Sequence, residues 1–486
     1  MSSHSHRHHS TLSLRFLMKL LGLGRFHDLD EVMASPTAEW RRPWWVRWVE
    51  QPTVEVDWDR MERFDGRKIQ QVSWSKYVGE EVAQRLSQLR EKRFKQWILE
   101  NRPGYTLRDR ALDIAGGQAG SVGVTFLGSW KESTAEQFLE GYYELNHSRS
   151  VLRDPARPRV LSPEELGVPR WEGTPEENSR MIRAALRHFG ADQVGFVELD
   201  EHTRKLIYSF DPLDGKALMF EDVDLAYETD TKRVIPQKAR WVIVFTVQMS
   251  EELIRRTQVA APTALSSAAT GLAYARARNI IDRLQAFLHV LGYQGIMGTW
   301  FNGLGIAPAF AVLAGIGELS RLNRVISPEY GPLQRIFKVV TDLPLAPTKP
   351  IDAGIMRFCR TCKKCAEVCP VGVLSMDTEP SWEVKGPWNN PGHRAYFENS
   401  PSCRTWWSVS TAGCATCFTV CPFVRKDKSF IHKLVAPTIA LTPILNGFFT
   451  RMHTLFGYGR PREPESWWDL DLPPHGINTA RGTQLE

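Results

Sequence analysis

The sequence predicts an α+β fold, a sandwich of helices on a sheet, followed by a small cysteine-rich unit. Between residues 174 and 291 the periodic segments follow the order helix, strand, polar insertion, strand, helix, which is typical of such a sandwich. All 8 cysteines of the 486-residue chain lie between Cys359 and Cys421. Clustering at gaps of two and three residues indicates metal binding, because a disulfide framework would spread its cysteines across the fold.

Composition and charge exclude some classes of protein. The 61 basic and 55 acidic residues give a net charge of +6, which is too small to indicate a nucleic-acid partner. The 17 tryptophans and 30 prolines are numerous, and they fit either a pocket for a large cofactor or simply large core side chains. The sequence offers no run of the roughly 20 apolar residues that a membrane-spanning helix needs.

The first 24 residues are interpreted as a degenerate export leader without fixed structure. Residues 1–10 are rich in histidine and low in complexity, so we exclude them from the fold. The following "SLRFLMKLLGLG" is similar to a twin-arginine signal, but Leu14 replaces the first arginine and the apolar region is short. The sequence therefore gives only weak support for export by this leader.

Residues 25–165 predict an N-terminal wrapping unit, because they are rich in Trp, Arg and Pro and have few periodic runs. Alternating residues at 53–58 predict one short strand. The glycine-rich run at 115–128 matches neither the dinucleotide-binding nor the Walker pattern, so we predict no nucleotide site there.

Residues 166–353 predict the sandwich itself. A helix begins after Thr174, because a capping box and a proline at the first position precede an apolar face, and Gly190 ends it. A continuous apolar run at 192–199 predicts a buried strand. The remaining predicted elements are an insertion at about 200–239, a buried strand at 240–247 and a long helix at 264–291 that ends at Gly292.

Residues 354–425 predict a bacterial ferredoxin-like unit with two [4Fe-4S] clusters. The motif C-x2-C-x2-C-x3-C-P begins at Cys359, and C-x2-C-x3-C-P begins at Cys414 with one ligand missing, which Cys403 can supply. In two-cluster ferredoxins the cysteine before the proline serves the other cluster. We therefore assign one cluster to Cys359, Cys362, Cys365 and Cys421, and the other to Cys369, Cys403, Cys414 and Cys417.

Two zinc sites are the alternative for these cysteines, since Zn²⁺ also accepts four thiolates. Zinc motifs seldom place cysteines at this spacing before a proline, so the pattern favours iron–sulfur clusters and predicts a redox protein. Residues 426–486 are interpreted as a C-terminal wrap. The apolar run at 434–449 is broken by proline, and burial on the protein is favoured over contact with a membrane or a partner.

Four segments carry a family resemblance: "FHDLDEVMAS", "RPWWVRWVEQPTVEVDWDRMERFD", "TPEENSRMIRAALRHFGADQVGFVEL", and the run from Leu291 to Ile351. With the cysteine motifs, they make the chain from about Phe26 resemble the corrinoid-dependent reductive dehalogenases. The resemblance implies a nitroreductase-like corrinoid-binding sandwich with a ferredoxin-like unit, and an apolar pocket above the corrinoid. The chain lacks a D-x-H-x-x-G motif, which agrees with a base-off corrinoid without a protein ligand on cobalt.

The resemblance implies three catalytic residues, Tyr274, Asn302 and Arg335. Expelling halide from carbon leaves a radical or carbanion that needs a proton. A tyrosine has an ordinary pKa near 10, and a neighbouring guanidinium favours its ionised form, so Tyr274 beside Arg335 is predicted to exchange the proton. Asn302 would hold the hydroxyl or the leaving halide. Without the resemblance, Tyr274 would be interpreted as a packed helix residue and Asn302 as a turn former. Arg335 would be interpreted as a residue of a surface ion pair.

Three aromatic residues are predicted at the substrate pocket. The family places an aromatic ring over the pocket from the cysteine unit, and Trp406 is the candidate, with packing against a cluster as the alternative. Trp300 and Phe301 stand where smaller residues are common in the family, so we expect a narrower pocket. The serine that usually follows the tyrosine is also absent, since Ala275 follows Tyr274.

The implied function is reductive dehalogenation, in which an organohalide takes two electrons and a proton and releases halide. Two alternatives stay open: an epoxyqueuosine reductase-like enzyme, and an electron-transfer or corrinoid-binding protein without its own substrate. The implied partners are a small organohalide, a small membrane-anchor protein and a low-potential electron donor, and a homodimer is compatible. The implied location, in organohalide respiration, is the outer face of the cytoplasmic membrane, with the cytoplasm as the alternative because the leader is degenerate.

Overall fold

The computed structural model describes residues 42–107, 109, 162–166, 169–257, 263–298, 303–424 and 430–477. The predicted leader and the glycine-rich run at 115–128 lie outside these described residues. The same is true of three predicted site residues, Trp300, Phe301 and Asn302.

Strands and helices both occur along the described chain. The strands are β1 Arg47–Trp48, β2 Gln193–Glu198, β3 Ala217–Glu221, β4 Tyr227–Glu228, β5 Lys232–Pro236, β6 Trp241–Gln248, β7 Gly295–Ile296, β8 Glu318–Leu319, β9 Val325–Ile326, β10 Gln334–Thr341 and β11 Ile351–Asp352. The helices are α1 Gln70–Val78, α2 Glu80–Leu99, α3 Pro163–Leu166, α4 Pro175–Phe189, α5 Glu251–Ile254, α6 Ala264–Leu291, α7 Ala307–Leu313, α8 Ile355–Thr361, α9 Lys364–Glu367, α10 Ser400–Val409, α11 Thr416–Thr419, α12 Phe430–Leu441 and α13 Asn446–Leu455.

The centre of the fold is an antiparallel sheet with the strand order β2–β6–β10–β7. Strand β6 reads WVIVFTVQ, and all its residues after Trp241 are buried. Such a continuous apolar run, rich in β-branched side chains, suits a strand that is covered on both faces. Strands β2 and β6 fall within one residue of the predicted positions, so the predicted α+β class is confirmed.

Helices cover the two faces of this sheet. On one face, Phe337 of β10 makes an edge contact with Tyr274 of α6 at a ring-centroid distance of 5.6 Å. The next residue, Lys338, shares a cross-strand row with Gly195, where a Cβ atom would meet the Ala314 carbonyl oxygen just after α7. Because successive strand residues point to opposite faces, α6 and α7 lie on opposite sides of the sheet.

Local sequence signals fix the ends of the two long core helices. Thr174 and Glu177 form both hydrogen bonds of a capping box at the start of α4, as predicted. Helix α6 ends at Gly292, which adopts a left-handed conformation with φ of 89°. A glycine accepts this conformation without a steric penalty, and its N–H closes the helix on the His289 carbonyl.

The segment between β2 and β6 was predicted as an insertion, and it folds into its own small sheet of order β3–β5–β4. Two further pairs, β1 with β11 and β8 with β9, are short and antiparallel. The strand predicted at residues 53–58 is wrong, because only Val56 forms a bridge, with His393. Alternating residues alone did not produce a strand there, because no neighbouring strand among the described residues extends the pairing.

The cysteine-rich segment packs directly on the core. Helices α8 and α9 carry Cys359 and Cys365 of the first motif, Cys362 lies at the end of α8, and α10 and α11 carry Cys403 and Cys417. The C-terminal helices α12 and α13 then pack against α8. None of the described helices is long and apolar enough to cross a lipid bilayer.

Candidate active site

A cavity of about 640 Å³ lies between the core and the cysteine-rich segment. Its core side is formed by parts of α1, α6, α7 and β10, and its other side by residues 369–374, residues 388–407 and residues 414–418. The volume falls within the range of ligand-binding pockets, and most of the lining side chains are apolar. The fold therefore brings the predicted redox segment and two of the predicted catalytic residues, Tyr274 and Arg335, to one space.

Tyr274 and Arg335 meet in the wall of this cavity. Helix α6 supplies Tyr274 and strand β10 supplies Arg335, and both line the cavity. The guanidinium carbon lies 5.6 Å from the centroid of the tyrosine ring, within the range of a cation–π contact. Phe337, two residues after Arg335 on the same face of β10, adds an edge contact to the ring.

A third side chain, Thr270, fixes the guanidinium. It lies one helical turn before Tyr274, and its Oγ1 accepts a hydrogen bond of 2.9 Å from Nη2 of Arg335. Burial lowers the pKa of Arg335, while the neighbouring Tyr274 raises it. The Nε of Arg335 has no hydrogen-bond partner among the described residues. The pair is thus held by the protein but keeps donor capacity at the cavity.

The eight cysteines fall into two groups that match the two sets assigned from the sequence. Four of them, the core cysteine group, surround a space of about 20 Å³: Cys359, Cys362, Cys365 and Cys421. The other four, the cavity cysteine group, line the large cavity: Cys369, Cys403, Cys414 and Cys417. The groups are neighbours, since Cys365 of the first acts electrostatically on Cys417 of the second.

Burial shapes the chemistry of these thiols. Desolvation raises the pKa of Cys365 to about 12, and it also raises the pKa of Cys359 and Cys421. Thiols with raised pKa values stay protonated near neutral pH. A metal centre that binds them must displace the proton. The core thiols therefore bind a metal cluster as thiolates only when their protons are released.

The sequence left two positions open for Trp406, over the pocket or against a cluster site, and the structure combines them. It lies one turn after Cys403 on α10 and lines the large cavity. Burial raises the pKa of Cys414, and the indole of Trp406 beside that thiol acts in the opposite direction. The ring thus contacts the cavity cysteine group and also faces the cavity.

Two arginines near the cysteines were missed by the sequence reasoning. Arg321 is fully buried, and its guanidinium donates to the carbonyl oxygens of Cys359 and Cys362 at 2.7 to 3.2 Å. Arg324 forms a 2.7 Å ion pair with the buried carboxylate of Glu398 at the cavity. Neither arginine stands out in the sequence, because both lie in the short polar turn of residues 320–324 between β8 and β9.

The cavity wall also presents polar atoms that indicate a polar ligand. Several buried side-chain atoms have no hydrogen-bond partner among the described residues: Gln70 Oε1, Gln334 Oε1 and Nε2, Asn390 Oδ1 and His393 Nδ1. Buried polar atoms are nearly always paired in folded proteins. An apolar cavity with these atoms on its rim therefore fits a large ligand that carries its own amide or hydroxyl groups.

Comparison with known proteins decides the family. Residues 41–345 match the model of the reductive dehalogenase subunit, and residues 358–424 match the 4Fe-4S double cluster binding domain. The chain belongs to the reductive dehalogenase family. It is therefore an oxidoreductase of this family, and its cysteine-rich segment holds two [4Fe-4S] clusters. The zinc alternative is not supported.

Two curated relatives illustrate the relationship. The chloroethene reductive dehalogenase of Dehalococcoides mccartyi (strain VS) is 31% identical, over 97% of this chain and 99% of the relative. The tetrachloroethene reductive dehalogenase of Sulfurospirillum multivorans is 34% identical, over 63% of this chain and 61% of the relative. An epoxyqueuosine reductase of Bacillus subtilis matches only 52% of the chain at 25% identity, so that alternative is not favoured.

Solved structures confirm the fold class. One match is a reductive dehalogenase whose structure suggests a mechanism for B12-dependent dehalogenation. Its TM-score is 0.59 at 20% identity, over 88% of this chain. A catabolic reductive dehalogenase in complex with 3-bromo-4-hydroxybenzoic acid matches with a TM-score of 0.58 at 18% identity, over 92% of this chain. The chain spans about half the length of these structures, 51% and 54% respectively.

Proposed function

We propose that this family member is a corrinoid-dependent enzyme that replaces a halogen of a small organohalide with hydrogen. The substrate R–X takes up two electrons and one proton, and the products are R–H and halide. The observation that carries the proposal is the position of Tyr274 and Arg335 on the same cavity as the cavity cysteine group. Electron delivery and proton delivery thereby converge on one space.

The proposed cofactor set is two [4Fe-4S] clusters and one corrinoid. The core cysteine group would hold one cluster and the cavity cysteine group the other. The corrinoid would occupy the large cavity, where the unpaired side chains of Gln334, Asn390 and Gln70 can bind amide groups of its rim. When bound base-off, it would supply the cobalt centre at which the carbon–halogen bond is reduced. No D-x-H-x-x-G motif competes for that metal.

The proton would come from the hydroxyl of Tyr274. The Arg335 guanidinium stabilises the negative charge that the tyrosine gains when it gives up its proton. Thr270 keeps the guanidinium in place through its hydroxyl. Asn302, which lies outside the described residues, remains a proposed partner for the tyrosine hydroxyl or the leaving halide, and Trp406 a proposed wall of the substrate pocket.

The substrate class follows from the apolar lining and from the relatives. Aliphatic side chains such as Leu313 and Ile336 make up much of the lining, and the charged groups beside them include Arg335 and the Arg324–Glu398 ion pair. The relatives are named for chloroethene and tetrachloroethene. We therefore propose a small, uncharged organohalide, with Trp300 and Phe301 narrowing its pocket as the sequence predicts.

Partners and location remain proposals from the family resemblance. We propose a low-potential electron donor, a small membrane-anchor protein and a peripheral position at the outer face of the cytoplasmic membrane in organohalide respiration. The cytoplasm is the alternative location, because the leader is degenerate. A homodimer is compatible with these proposals.

The test uses protein purified without oxygen, loaded with iron, sulfide and corrinoid, and driven by reduced viologen. We expect release of halide from chlorinated ethenes. Tyr274→Phe should lower the turnover number by about 100-fold or more, which is the usual contribution of a general acid. Tyr227→Phe, at an exposed tyrosine on the insertion, is the matched control and should keep full activity. Full turnover by Tyr274→Phe would refute the proposed proton donor.

A further inference from the structure

The C-terminal helices α12 and α13 have two apolar sides. One side packs on the cysteine-rich segment. Gly354, at the start of α8, lies so close to α12 that a Cβ atom there would be 2.4 Å from the carbonyl oxygen of Ile439. Arg357 of α8 donates a 2.8 Å hydrogen bond to the Ala440 carbonyl. The side chain of Phe449 packs against the core from α13.

The other side of these helices is an exposed apolar stripe, which departs from the burial that the sequence favoured for residues 434–449. Leu441 ends α12, Ile444 and Leu445 lie in the turn that joins the two helices, and Phe448 and Leu455 lie seven residues apart, on one side of α13. The stripe consists of Leu441, Ile444, Leu445, Phe448, Leu455 and Phe456. The exposed fraction reaches 85% for Ile444 and 75% for Leu455. Contiguous exposed apolar side chains on this scale mark an interaction surface.

The surroundings of the apolar stripe carry positive charge. The sequence contains no aspartate or glutamate between residues 428 and 462. Arg451 lies within α13 and Arg460 shortly after it, and both are exposed. A partner with an apolar centre and acidic groups around it would complement this surface.

Beneath the stripe lies the core cysteine group. The side chain of Thr450 on α13 hydrogen-bonds with the thiol of Cys362. One turn later, the Thr454 hydroxyl accepts a hydrogen bond from the ammonium of Lys364, which itself lines the space between the four cysteines. Helix α13 therefore separates the core cysteine group from the exposed stripe by the thickness of one helix.

We infer that the apolar stripe is the docking surface for a small acidic electron-carrier protein that reduces the cluster in the core cysteine group. This inference rests on the proposed electron path, since the cavity cysteine group faces the cavity and the core group lies below the stripe. One electron passes from the carrier, which is oxidised, to the cluster, which is reduced, and no bond or proton moves. A small apolar centre with a charged rim suits the transient contacts of electron-transfer partners.

The test measures reduction of the clusters in the holoenzyme by stopped-flow absorbance, without organohalide. A reduced bacterial ferredoxin serves as the acidic donor and reduced viologen as the small donor. We expect the double variant Phe448→Ser and Leu455→Ser to be reduced by ferredoxin at least about tenfold more slowly, because two buried apolar contacts are lost. Reduction by viologen should be unchanged. Leu225→Ser, at an exposed leucine of the insertion, is the matched control.

A second variant tests the charge. Arg451→Glu should slow reduction by ferredoxin at low salt, and the difference from the wild type should shrink at high salt, because salt screens exposed charges. Unchanged ferredoxin rates in both variants would overturn the inference. If the rates are unchanged but the double variant loses binding to vesicles of phosphatidylglycerol and phosphatidylcholine, the stripe is a membrane surface instead.

Loss of a dimer in the double variant, again with unchanged ferredoxin rates, would assign the stripe to a second copy of the chain. The test is independent of the proposed reaction, because the clusters are reduced whether or not halide is released. Failure of halide release with viologen, together with normal reduction by ferredoxin, would refute the proposed function and leave the docking surface intact.

Discussion

The core cysteine group and the cavity cysteine group have similar sequence spacing but lie in different surroundings. The core group encloses about 20 Å³ and its four thiols are buried. The cavity group shares a cavity of about 640 Å³ with the proposed catalytic pair, and its thiols are only half-buried. The same motif thus provides one metal site that is sealed by protein and another that faces the place of reaction.

One short turn distinguishes the two groups. Strands β8 and β9 form a hairpin, and its turn carries Arg321 and Arg324 three residues apart. Arg321 donates to backbone carbonyls of the core group, whereas Arg324 forms an ion pair with Glu398 beside the cavity group. The first arginine holds a loop in shape, and the second places a charge near thiolates. Arg321 therefore acts mainly on the structure of the core cysteine group, whereas Arg324 acts mainly on the electrostatics of the cavity cysteine group.

The largest expected effect is on the structure of the core group. Arg321→Met removes the donors for the carbonyl oxygens of Cys359, Ser375 and Asp377. Each buried carbonyl without a partner costs about 1–3 kcal/mol, so we expect the folded state to lose about 3–5 kcal/mol and one cluster. Iron content and the thermal unfolding midpoint measure the loss. Arg360→Met, at a half-exposed ion pair with Glu379, should change neither.

Much of the fold follows from local signals in the sequence. The capping box at Thr174 and the glycine at position 292 determine where α4 and α6 begin or end, because these signals act within one turn. The cysteine spacing also predicted the two groups that the structure brings together, since a cluster needs thiolates from one tight loop and one distant helix.

The contacts that complete the site could not be predicted in the same way. Arg321 bonds residues 38 to 56 positions later in the chain, and Thr270 meets Arg335 across 65 positions. Such pairs depend on how the sheet and the cysteine-rich segment pack, and neither side chain carries a local signal. The predicted strand at residues 53–58 failed for the same reason, because pairing requires a neighbouring strand.

A smaller effect is expected from the charges beside the cavity group. Arg324→Gln removes a positive charge that acts on Cys403 and Cys417. A reduced cluster carries one more negative charge, so the reduction potential of that cluster should fall by about 60 mV, or roughly 1.4 kcal/mol. Glu398→Gln should shift the potential in the opposite direction. Redox titration followed by EPR measures both, and equal shifts of the two clusters would remove the proposed distinction between the groups.

The next effect concerns the cavity wall alone. Thr270→Val keeps the shape of the side chain but removes the acceptor for Arg335. We expect the turnover number to fall about fivefold, roughly 1 kcal/mol, with little change in KM, because the guanidinium acts on the proton donor more than on substrate binding. Thr270→Ser should restore the activity since it keeps the hydroxyl. If the serine variant is as slow as the valine variant, packing and not the hydrogen bond is responsible.

The smallest effect separates the two regions by their response to acid. Burial lowers the pKa of the cavity-lining His393 to about 4, whereas no histidine lines the core group in the described structure. The unfolded chain binds the proton near pH 6.5, so between pH 6.5 and 4 it holds more protons than the folded protein, and stability falls as the pH drops. His393→Phe should remove about 0.7 kcal/mol of the destabilisation between pH 7 and 6, seen as a smaller decrease of the unfolding midpoint. His202→Phe, at an exposed histidine, is the control and should leave the decrease unchanged. If the His393 variant shows the same decrease as the wild type, the cavity side is no more sensitive to acid than the core side.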